Sequence, residues 1–189
     1  MNEPDALQPA AIELVSLTKQ YGPGSIAVDA INLDGGGSST LLLGGPDAPM
    51  MHEKGLRLSG AWITGALDLE GCRVPRDIGL LDCRFDATPV LRSAVIDTLS
   101  FDGSHLPGLA ANRLEARGDI LLRAATVTGP ITLRGARIGG DLVMDGASLS
   151  HEGDRALSAD RISIRGSALM RGAAVRGGLA LSGARIGGD

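Results

Sequence analysis

The sequence contains very few aromatic residues and almost no lysine. Tryptophan, tyrosine and phenylalanine together supply only 2% of 189 residues. A globular domain of this size fills one thick core with such side chains, so their scarcity predicts thin buried layers of aliphatic residues. Lysine occurs only at positions 19 and 54, whereas arginine occurs 16 times. Residues 55–189 hold 15 acidic residues against those 16 arginines, which are spread along the chain and predict a mixed-charge, solvated surface.

Cysteine is also scarce, and the two that occur are Cys72 and Cys83. We expect both to fill small core positions, with a disulfide or redox pair as the alternative. The sequence has no CxxC pair or Cys/His cluster of the kind that binds zinc. His52, His105 and His151 are isolated and are expected at surface or turn positions. We therefore name no catalytic, cofactor-binding or metal-binding residue and predict no cofactor.

Long apolar runs are missing as well. No stretch of 18 apolar residues occurs, and the start MNEPDAL is neither basic nor followed by an apolar core. These features argue against a membrane-spanning helix and against a secretory signal. We predict a cytoplasmic protein, with peripheral contact to a membrane as the alternative, although no basic amphipathic helix supports such contact.

What the sequence has in abundance is repetition between Gly55 and Asp189. Segments such as ALDLEGCRV, PITLRGARI and GLALSGARI share one pattern. Two apolar residues stand two positions apart, and a third follows the second by five positions, with a small residue two before it. Periods near 11 residues that continue this far indicate a solenoid. Glycine recurs in the pattern and disfavours a helix, in which each glycine costs about 1 kcal/mol relative to alanine, and turns with positive φ favour it instead.

We predict that the second and third apolar residues of each unit point into the core. The pairs are Leu58/Ile63, Leu69/Val74, Leu80/Phe85, Leu91/Ile96, Phe101/Leu106, Leu122/Val127, Leu133/Ile138, Met144/Leu149, Ile164/Leu169 and Leu181/Ile186. Weak units are skipped near Arg113–Ala116 and near Arg155–Leu157, and a loop is expected at residues 150–160. Two units form one coil, which predicts an all-β fold: a right-handed β-helix of about six coils.

The five-residue step resembles the pentapeptide-repeat family, as in Ala61-Trp62-Ile63 and Ala136-Arg137-Ile138. More narrowly, the run LRLSGAWITGALDLEGCRV, with LLDCRF and SHLPGLAANRLEARGDILL, is similar to bacterial proteins labelled "membrane-associated oxidoreductase". The family resemblance implies a β-solenoid. The label implies redox chemistry, which no residue of this chain supports.

Residues 1–54 form a separate region, predicted as an N-terminal hairpin, linker and cap for a repeat domain at 55–189. Residues 11–33 read as two strands around a Gly-Pro-Gly turn and resemble the opening of an ABC-transporter ATPase. That resemblance implies a phosphate-binding loop near Gly35–Leu41. The lysine that would reach the phosphates is missing there, so we do not expect nucleotide hydrolysis.

These observations favour a non-catalytic scaffold or protein-interaction module. The alternatives are a membrane-associated oxidoreductase or its accessory, and a DNA mimic that modulates topoisomerases, as some pentapeptide-repeat proteins do. We expect a protein partner and no nucleic acid. The segment GARIGGD at 135–141 recurs at 183–189, where the next coil would begin. The repeat domain therefore looks truncated, and we expect either self-association through an open last coil or fraying of that coil.

Overall fold

Residues 55–188 coil into a β-solenoid. A computed structural model of the chain describes residues 55–63 and 65–188. The predicted N-terminal hairpin, linker and cap, the segment Gly35–Leu41 and His52 lie outside the described residues. The described part consists of strands, turns and short irregular segments and contains no helix. This confirms the predicted all-β class.

Each coil has four walls, and strands on one wall stack in parallel from coil to coil. Wall 1 comprises β1 (Leu56–Ser59), β4 (Ile78–Leu81), β7 (Leu99–Ser100), β11 (Ile120–Leu121), β15 (Leu142–Val143) and β18 (Ala168–Leu169). Wall 2 comprises β2 (Trp62–Ile63), β5 (Arg84–Phe85), β8 (His105–Leu106), β12 (Thr126–Val127) and the first parts of β16 (Ser148–Ser158) and β19 (Ala174–Ala180). Wall 3 comprises single bridges joining Asp68, Val90 and Ala110, then β9 (Leu109–Ala110), β13 (Ile131–Thr132) and the last parts of β16 and β19. Wall 4 comprises β3 (Arg73–Val74), β6 (Val95–Ile96), β10 (Glu115–Ala116), β14 (Arg137–Ile138), β17 (Ser163–Ile164) and β20 (Arg185–Ile186).

The register between coils confirms that two repeat units make one turn of the solenoid. Leu58 pairs with Leu80, two units further along the chain. Val74 pairs with Ile96 in the same way on wall 4. The unit between Leu58 and Leu80 contains Leu69 and lies on walls 3 and 4. Walls 1 and 4 each contain six strands, so the solenoid has the predicted six coils.

The core is the column of apolar side chains inside these walls. Eight of the ten residues on which the inward assignment rests most firmly are at most 7% exposed: Leu58, Ile63, Leu69, Val74, Leu80, Phe85, Leu133 and Ile138. The prediction was wrong for Leu181 and Ile186, which are 44% and 46% exposed. Both belong to the sixth coil, and no further described coil stacks on that side of them.

One predicted pair of inward residues, Ile164/Leu169, is assigned to the wrong positions of the repeat. The register places Ile164 opposite Ile138, so Ile164 is the last apolar residue of its unit and Ala159 is its inward partner. Leu169 lies opposite Val143 on the outer surface of wall 1, so its assignment to the core was wrong. Alanine at position 159 carries too little hydrophobic signal to mark the unit in the sequence.

The other skipped unit has the same explanation. Ala111 and Ala116 are 0% and 5% exposed and occupy the two inward positions of that unit. Both predicted gaps in the repeat are therefore complete units of the solenoid. The first of them has alanine at both inward positions, Ala111 and Ala116, and the second has alanine at one, Ala159.

The predicted loop at residues 150–160 is a bulge within a strand. Strand β16 runs through most of this segment and pairs with β19 in the next coil. The register shifts twice, between Ser150 and Arg155 and between Arg155 and Leu157. The extra residues of the fifth coil therefore bulge outwards at the corner between walls 2 and 3, and β19 follows them.

Two β-turns per coil explain the recurring glycine. The third residue of each turn has φ between 50° and 69°. At the end of wall 1 these residues are Gly60, Asp82, Gly103, Ala124, Gly146 and Gly172, and at the end of wall 3 they are Gly71, Ser93, Arg113, Gly135, Arg161 and Gly183. Only glycine adopts this left-handed conformation without steric cost. The prediction that glycine serves turns of positive φ is confirmed, and five of the twelve turns use another residue.

Candidate interaction surface

A ladder of alternating charges follows the turns at the end of wall 1. Asp102 accepts a hydrogen bond from the backbone N–H of Arg123 in the next coil at 2.7 Å, and its second oxygen lies 3.0 Å from the Arg123 guanidinium. Asp145 and Arg171 repeat the arrangement. The Arg171 side chain lowers the pKa of Asp145 through its hydrogen bonds, and the Arg171 backbone N–H adds to the effect. The carboxylates thus bind the backbone of the next coil and fix the arginines above them.

A second ladder follows the turns at the end of wall 3. Glu70 lies 3.2 Å from Arg92. The Asn112 side-chain oxygen accepts a hydrogen bond from the backbone N–H of Arg134 at 3.0 Å, and the Arg134 guanidinium lies 3.8 Å from Asp160. These side chains are largely exposed, so each ion pair contributes only about 0–1 kcal/mol to stability. The ladder matters more for the surface it creates than for the energy of folding.

Wall 4 carries two further ion pairs between coils. Glu115 lies 2.6 Å from Arg137, its partner in the register of β10 and β14. Asp97 lies 3.1 Å from Arg117 at the end of the wall. Because coils stack in register, a carboxylate in one coil meets an arginine about 4.8 Å further along the axis.

The charges are uneven around the coil, although the arginines are spread along the sequence. We define the acidic side as walls 1 and 2 with the turns that follow them, residues 55–66, 77–88, 98–108, 119–130, 141–156 and 167–178. We define the basic side as walls 3 and 4 with their turns, residues 67–76, 89–97, 109–118, 131–140, 157–166 and 179–188. The acidic side carries nine acidic residues and six arginines, a net charge of −3. The basic side carries five acidic residues and ten arginines, a net charge of +5.

This asymmetry is the feature that sequence reasoning missed. Consecutive repeat units lie on opposite sides of the core, so charges that alternate between units along the chain separate in space. A comparison of the net charge of odd-numbered units with that of even-numbered units would have revealed the asymmetry, whereas a comparison of the two ends of the chain does not.

Several arginines of the basic side have no carboxylate within 4.0 Å among the described residues. They are Arg73, Arg76, Arg113, Arg161, Arg165 and Arg185. The Arg113 side chain donates a hydrogen bond to Ser93 at 3.1 Å and runs towards Gly135 in the next coil. Arg161 approaches Gly183 in the same way. The Arg113 guanidinium is thus held at the corner between walls 3 and 4, and the side chains of Arg113 and Arg161 are both exposed.

The acidic side has one exposed aromatic residue, Trp62, on wall 2. The residue is 41% exposed, and the Arg84 guanidinium lies 5.5 Å from the centre of its ring. The indole N–H donates a hydrogen bond to Asp86 at 2.8 Å. Arg84 and Asp86 thus fix the ring on the surface, where it can contribute to contact with a partner.

Wall 1 carries a shallow depression of about 750 Å³. It lies over Gly79 and the small side chain of Ser100, between the larger side chains of Arg57, Leu81 and Leu121. The depression is open to solvent, and its lining includes no cysteine or histidine. Its lining offers no nucleophile paired with a general base, which covalent catalysis would need.

Both cysteines are free thiols. Cys83 is fully buried in the small core position predicted for it, and burial raises the pKa of its thiol. Cys72 is half-buried and packs against the core. The prediction that they fill small core positions is confirmed, and the alternative of a disulfide between them is not what the structure shows.

Ser104 occupies the same core column as Cys83, one coil further on. Its hydroxyl accepts a hydrogen bond from the Cys83 backbone N–H at 2.9 Å and donates one to the Leu80 carbonyl at 2.7 Å. Ten of the twelve described turns are instead closed directly by an N–H to C=O bond across the turn, as from Ala125 to Leu122 at 3.2 Å. The serine therefore bridges a turn whose two backbone groups do not meet.

The remaining residues singled out in the sequence do not come together. His105 is exposed on wall 2 and His151 lies half-buried in the bulge of β16. Within residues 55–63 and 65–188, no three His, Cys, Asp or Glu side chains form a group able to hold a metal ion. The same residues include no helix long and apolar enough to cross a membrane.

Comparison with known proteins adds no relative to this description. No family model, no curated protein and no solved structure matches the chain. What can be said of its kinship rests on its own architecture, which is that of a four-walled β-solenoid.

Proposed function

We propose that this solenoid is a non-catalytic scaffold that binds another protein. The observation that carries the proposal is the stacking of outer side chains into continuous columns over six coils, which gives wide, rigid walls. Solenoids of this kind present extended surfaces on which partners bind. Ion pairs between coils hold much of that surface in place. A cytoplasmic location remains part of the proposal and rests on the sequence.

The five-residue step supports a place among pentapeptide-repeat-like proteins. Leu58 and Ile63 lie on adjacent walls, as do Leu69 and Val74, so a step of five residues turns one corner. The step from Ile63 to Leu69 is longer by one residue. We infer a divergent member of that group, in which steps of six residues are interspersed among steps of five.

A redox function is the second candidate, and one observation bears on it. The depression on wall 1 has the volume of a small-molecule site, for which roughly 300–1,000 Å³ is typical. Its open shape and mixed lining favour a surface contact over a buried cofactor. The third candidate, a DNA mimic, would need a strongly acidic surface, and the net charge of −3 on the acidic side argues against it.

A thermal-shift screen against NAD, NADP, flavins, ATP and divalent metals tests the scaffold against the redox protein. A ligand that binds only the folded state raises its stability, by about 2.7 kcal/mol at a hundred times Kd. We expect no shift with any of them. A shift of several degrees would refute the scaffold proposal, and the Leu121→Arg variant, which crowds the depression, would then show whether the ligand binds on wall 1.

Self-association is part of the same proposal. Leu179, Leu181 and Ile186 in the sixth coil are 44–49% exposed. A second copy that stacks on this coil would cover them. Light scattering of the wild type and of a Leu181→Asp variant tests this: we expect a larger mass for the wild type, and a monomeric wild type would contradict it.

A further inference from the structure

We propose that the basic side of the solenoid binds a protein segment rich in Asp and Glu. This inference rests on the proposed scaffold function and names the class of partner. The surface consists of walls 3 and 4 and the corner between them. Its chemistry, shape and extent each favour an acidic protein partner.

The chemistry is that of unneutralised guanidinium groups. Four carboxylates of the basic side, Glu70, Asp97, Glu115 and Asp160, already pair with arginines of neighbouring coils. The arginines that remain without a described carboxylate extend from the first coil to the last along the corner and wall 4. A guanidinium presents a planar fork of donors that matches a carboxylate in two hydrogen bonds. A partner that complements this surface would therefore carry carboxylates or other oxyanions.

The shape of wall 3 favours close contact with a protein. The column of outward positions starts at the exposed Asp68 in the first coil and continues with small side chains that leave the wall flat: Val90, Ala110, Thr132, Ser158 and Ala180. All five are half-buried or buried by their neighbours in the column. A flat surface of small residues beside a column of arginines allows a partner to approach the backbone while its acidic side chains reach the rim.

The extent of this surface is sufficient for a stable complex. Six coils at about 4.8 Å span roughly 24 Å along the axis, and two walls measure roughly 30 Å around it. The product, roughly 700 Å², approaches the 800 Å² that each partner contributes to a standard interface.

Two observations favour a protein over a nucleic acid or a lipid surface. The carboxylates interleaved among the arginines would repel a continuous row of phosphates, whereas a protein segment can place neutral or cationic side chains opposite them. The basic side also has no aromatic residue, so it offers no platform on which bases could stack. The aromatic residues of the described part, Trp62, Phe85 and Phe101, belong to the acidic side.

The probe is a fluorescent peptide of about 16 residues in which glutamate alternates with serine, long enough to span the solenoid when extended. Anisotropy titrations measure its Kd with the folded wild type at low and high salt. The test variant removes three arginines of wall 4, as R73Q/R165Q/R185Q. The control variant removes three arginines of the acidic side, as R57Q/R123Q/R176Q. All six are exposed, so both variants fold, and both change the net charge equally.

We expect the test variant to bind the peptide about tenfold more weakly and the control to stay within about twofold, because only the first loses charges at the interface. A third variant, R73K/R165K/R185K, keeps the charge but lacks the planar guanidinium groups. Its Kd for the peptide should lie between those of the test and control variants. Equal losses in the test and control variants would overturn the assignment to the basic side. Peptide binding absent at low salt would overturn the acidic partner and leave the scaffold standing.

Two further probes examine the class of partner. A duplex DNA of about 20 base pairs and vesicles of phosphatidylserine and phosphatidylcholine replace the peptide under the same conditions. Tighter binding of either than of the peptide would overturn the choice of a protein. A cofactor that shifts the melting temperature would instead refute the scaffold function itself.

Discussion

The turn at the end of wall 1 allows an exchange of residues with opposite effects in neighbouring coils. Ala124 and Gly146 occupy the same turn position one coil apart, with φ of 52° and 67°. A Cβ added at Gly146 would lie 3.9 Å from the nearest atoms, those of Ala124, which is ordinary contact. The substitution Gly146→Ala therefore costs conformational strain and nothing from a clash. Ala124→Gly removes the same strain.

The left-handed conformation costs a non-glycine residue roughly 1–2 kcal/mol. Glycine avoids this strain but loses more backbone entropy on folding than alanine does, and this difference offsets about 0.4–1 kcal/mol of its advantage. We expect Gly146→Ala to destabilise the protein by about 1 kcal/mol and Ala124→Gly to stabilise it by about the same amount. In a chain of this length each change moves the melting temperature by about 2–4 °C. Urea denaturation monitored by circular dichroism measures both, provided that the m-value stays constant.

The exchanged variant, with both substitutions, has the composition of the wild type and should have nearly its stability. Because its number of glycines is unchanged, its free energy of unfolding distinguishes the strain at these two turn positions from a general effect of glycine content. If Ala124→Gly lowers the urea midpoint, as glycine does inside an ordinary strand, the reasoning about φ is refuted. The same conclusion follows if both single variants move in one direction.

Three further predictions concern buried and charged side chains. Ser104→Ala leaves the buried Cys83 N–H without its partner and should lower the free energy of unfolding, measured by urea denaturation, by about 1–2 kcal/mol. The control Ser148→Ala, at an exposed position, should lower it by under about 0.5 kcal/mol. Equal losses in the two variants would contradict the bridging role of Ser104. The pKa of Asp145 is lowered in the folded protein, so its stabilising contribution is present above about pH 4 and is lost as the pH falls through the folded pKa. Asp145→Asn should therefore flatten the acid limb of a plot of melting temperature against pH, and an unchanged limb would count against the pairing. Iodoacetamide should alkylate Cys72 well before Cys83, because burial raises the pKa of the Cys83 thiol and shields it from the reagent. Mass spectrometry of a time course measures the order of alkylation, and earlier alkylation of Cys83 would contradict its burial.

The fold followed from the sequence wherever a unit carries large apolar side chains. Leu133 and Ile138 mark their unit clearly because a coil with this spacing has no alternative way to bury them. The units at Ala111/Ala116 and Ala159/Ile164 were not recognised in the sequence, because alanine occurs both inside and outside the core and therefore does not mark an inward position. Leu181 and Ile186 follow the pattern fully, yet they are exposed because burial depends on the next coil and not on the pattern alone.

The interaction surface was harder to predict than the core. Apolar periodicity identifies which residues face inwards, but it does not say which of two outward residues become neighbours in space. That requires the register, and only the register brings Glu115 to Arg137 across 22 positions. The insertion in β16 shifts this register to 26 positions between Leu142 and Ala168. The break in the repeat at residues 150–160 indicated where the insertion lies, but not the strand pairing across it.

The register also fixes how the molecule would respond to mechanical force. Hydrogen bonds between coils run parallel to the long axis, so a pull on the two ends loads one terminal coil in tension before its neighbours. Unfolding would then proceed as unwinding in discrete steps, each releasing one coil of about 22 residues, or roughly 75 Å of extended chain. The fifth coil, with its bulge, would give a visibly longer step. Because one coil at a time bears the load, the solenoid would yield at low force along its axis.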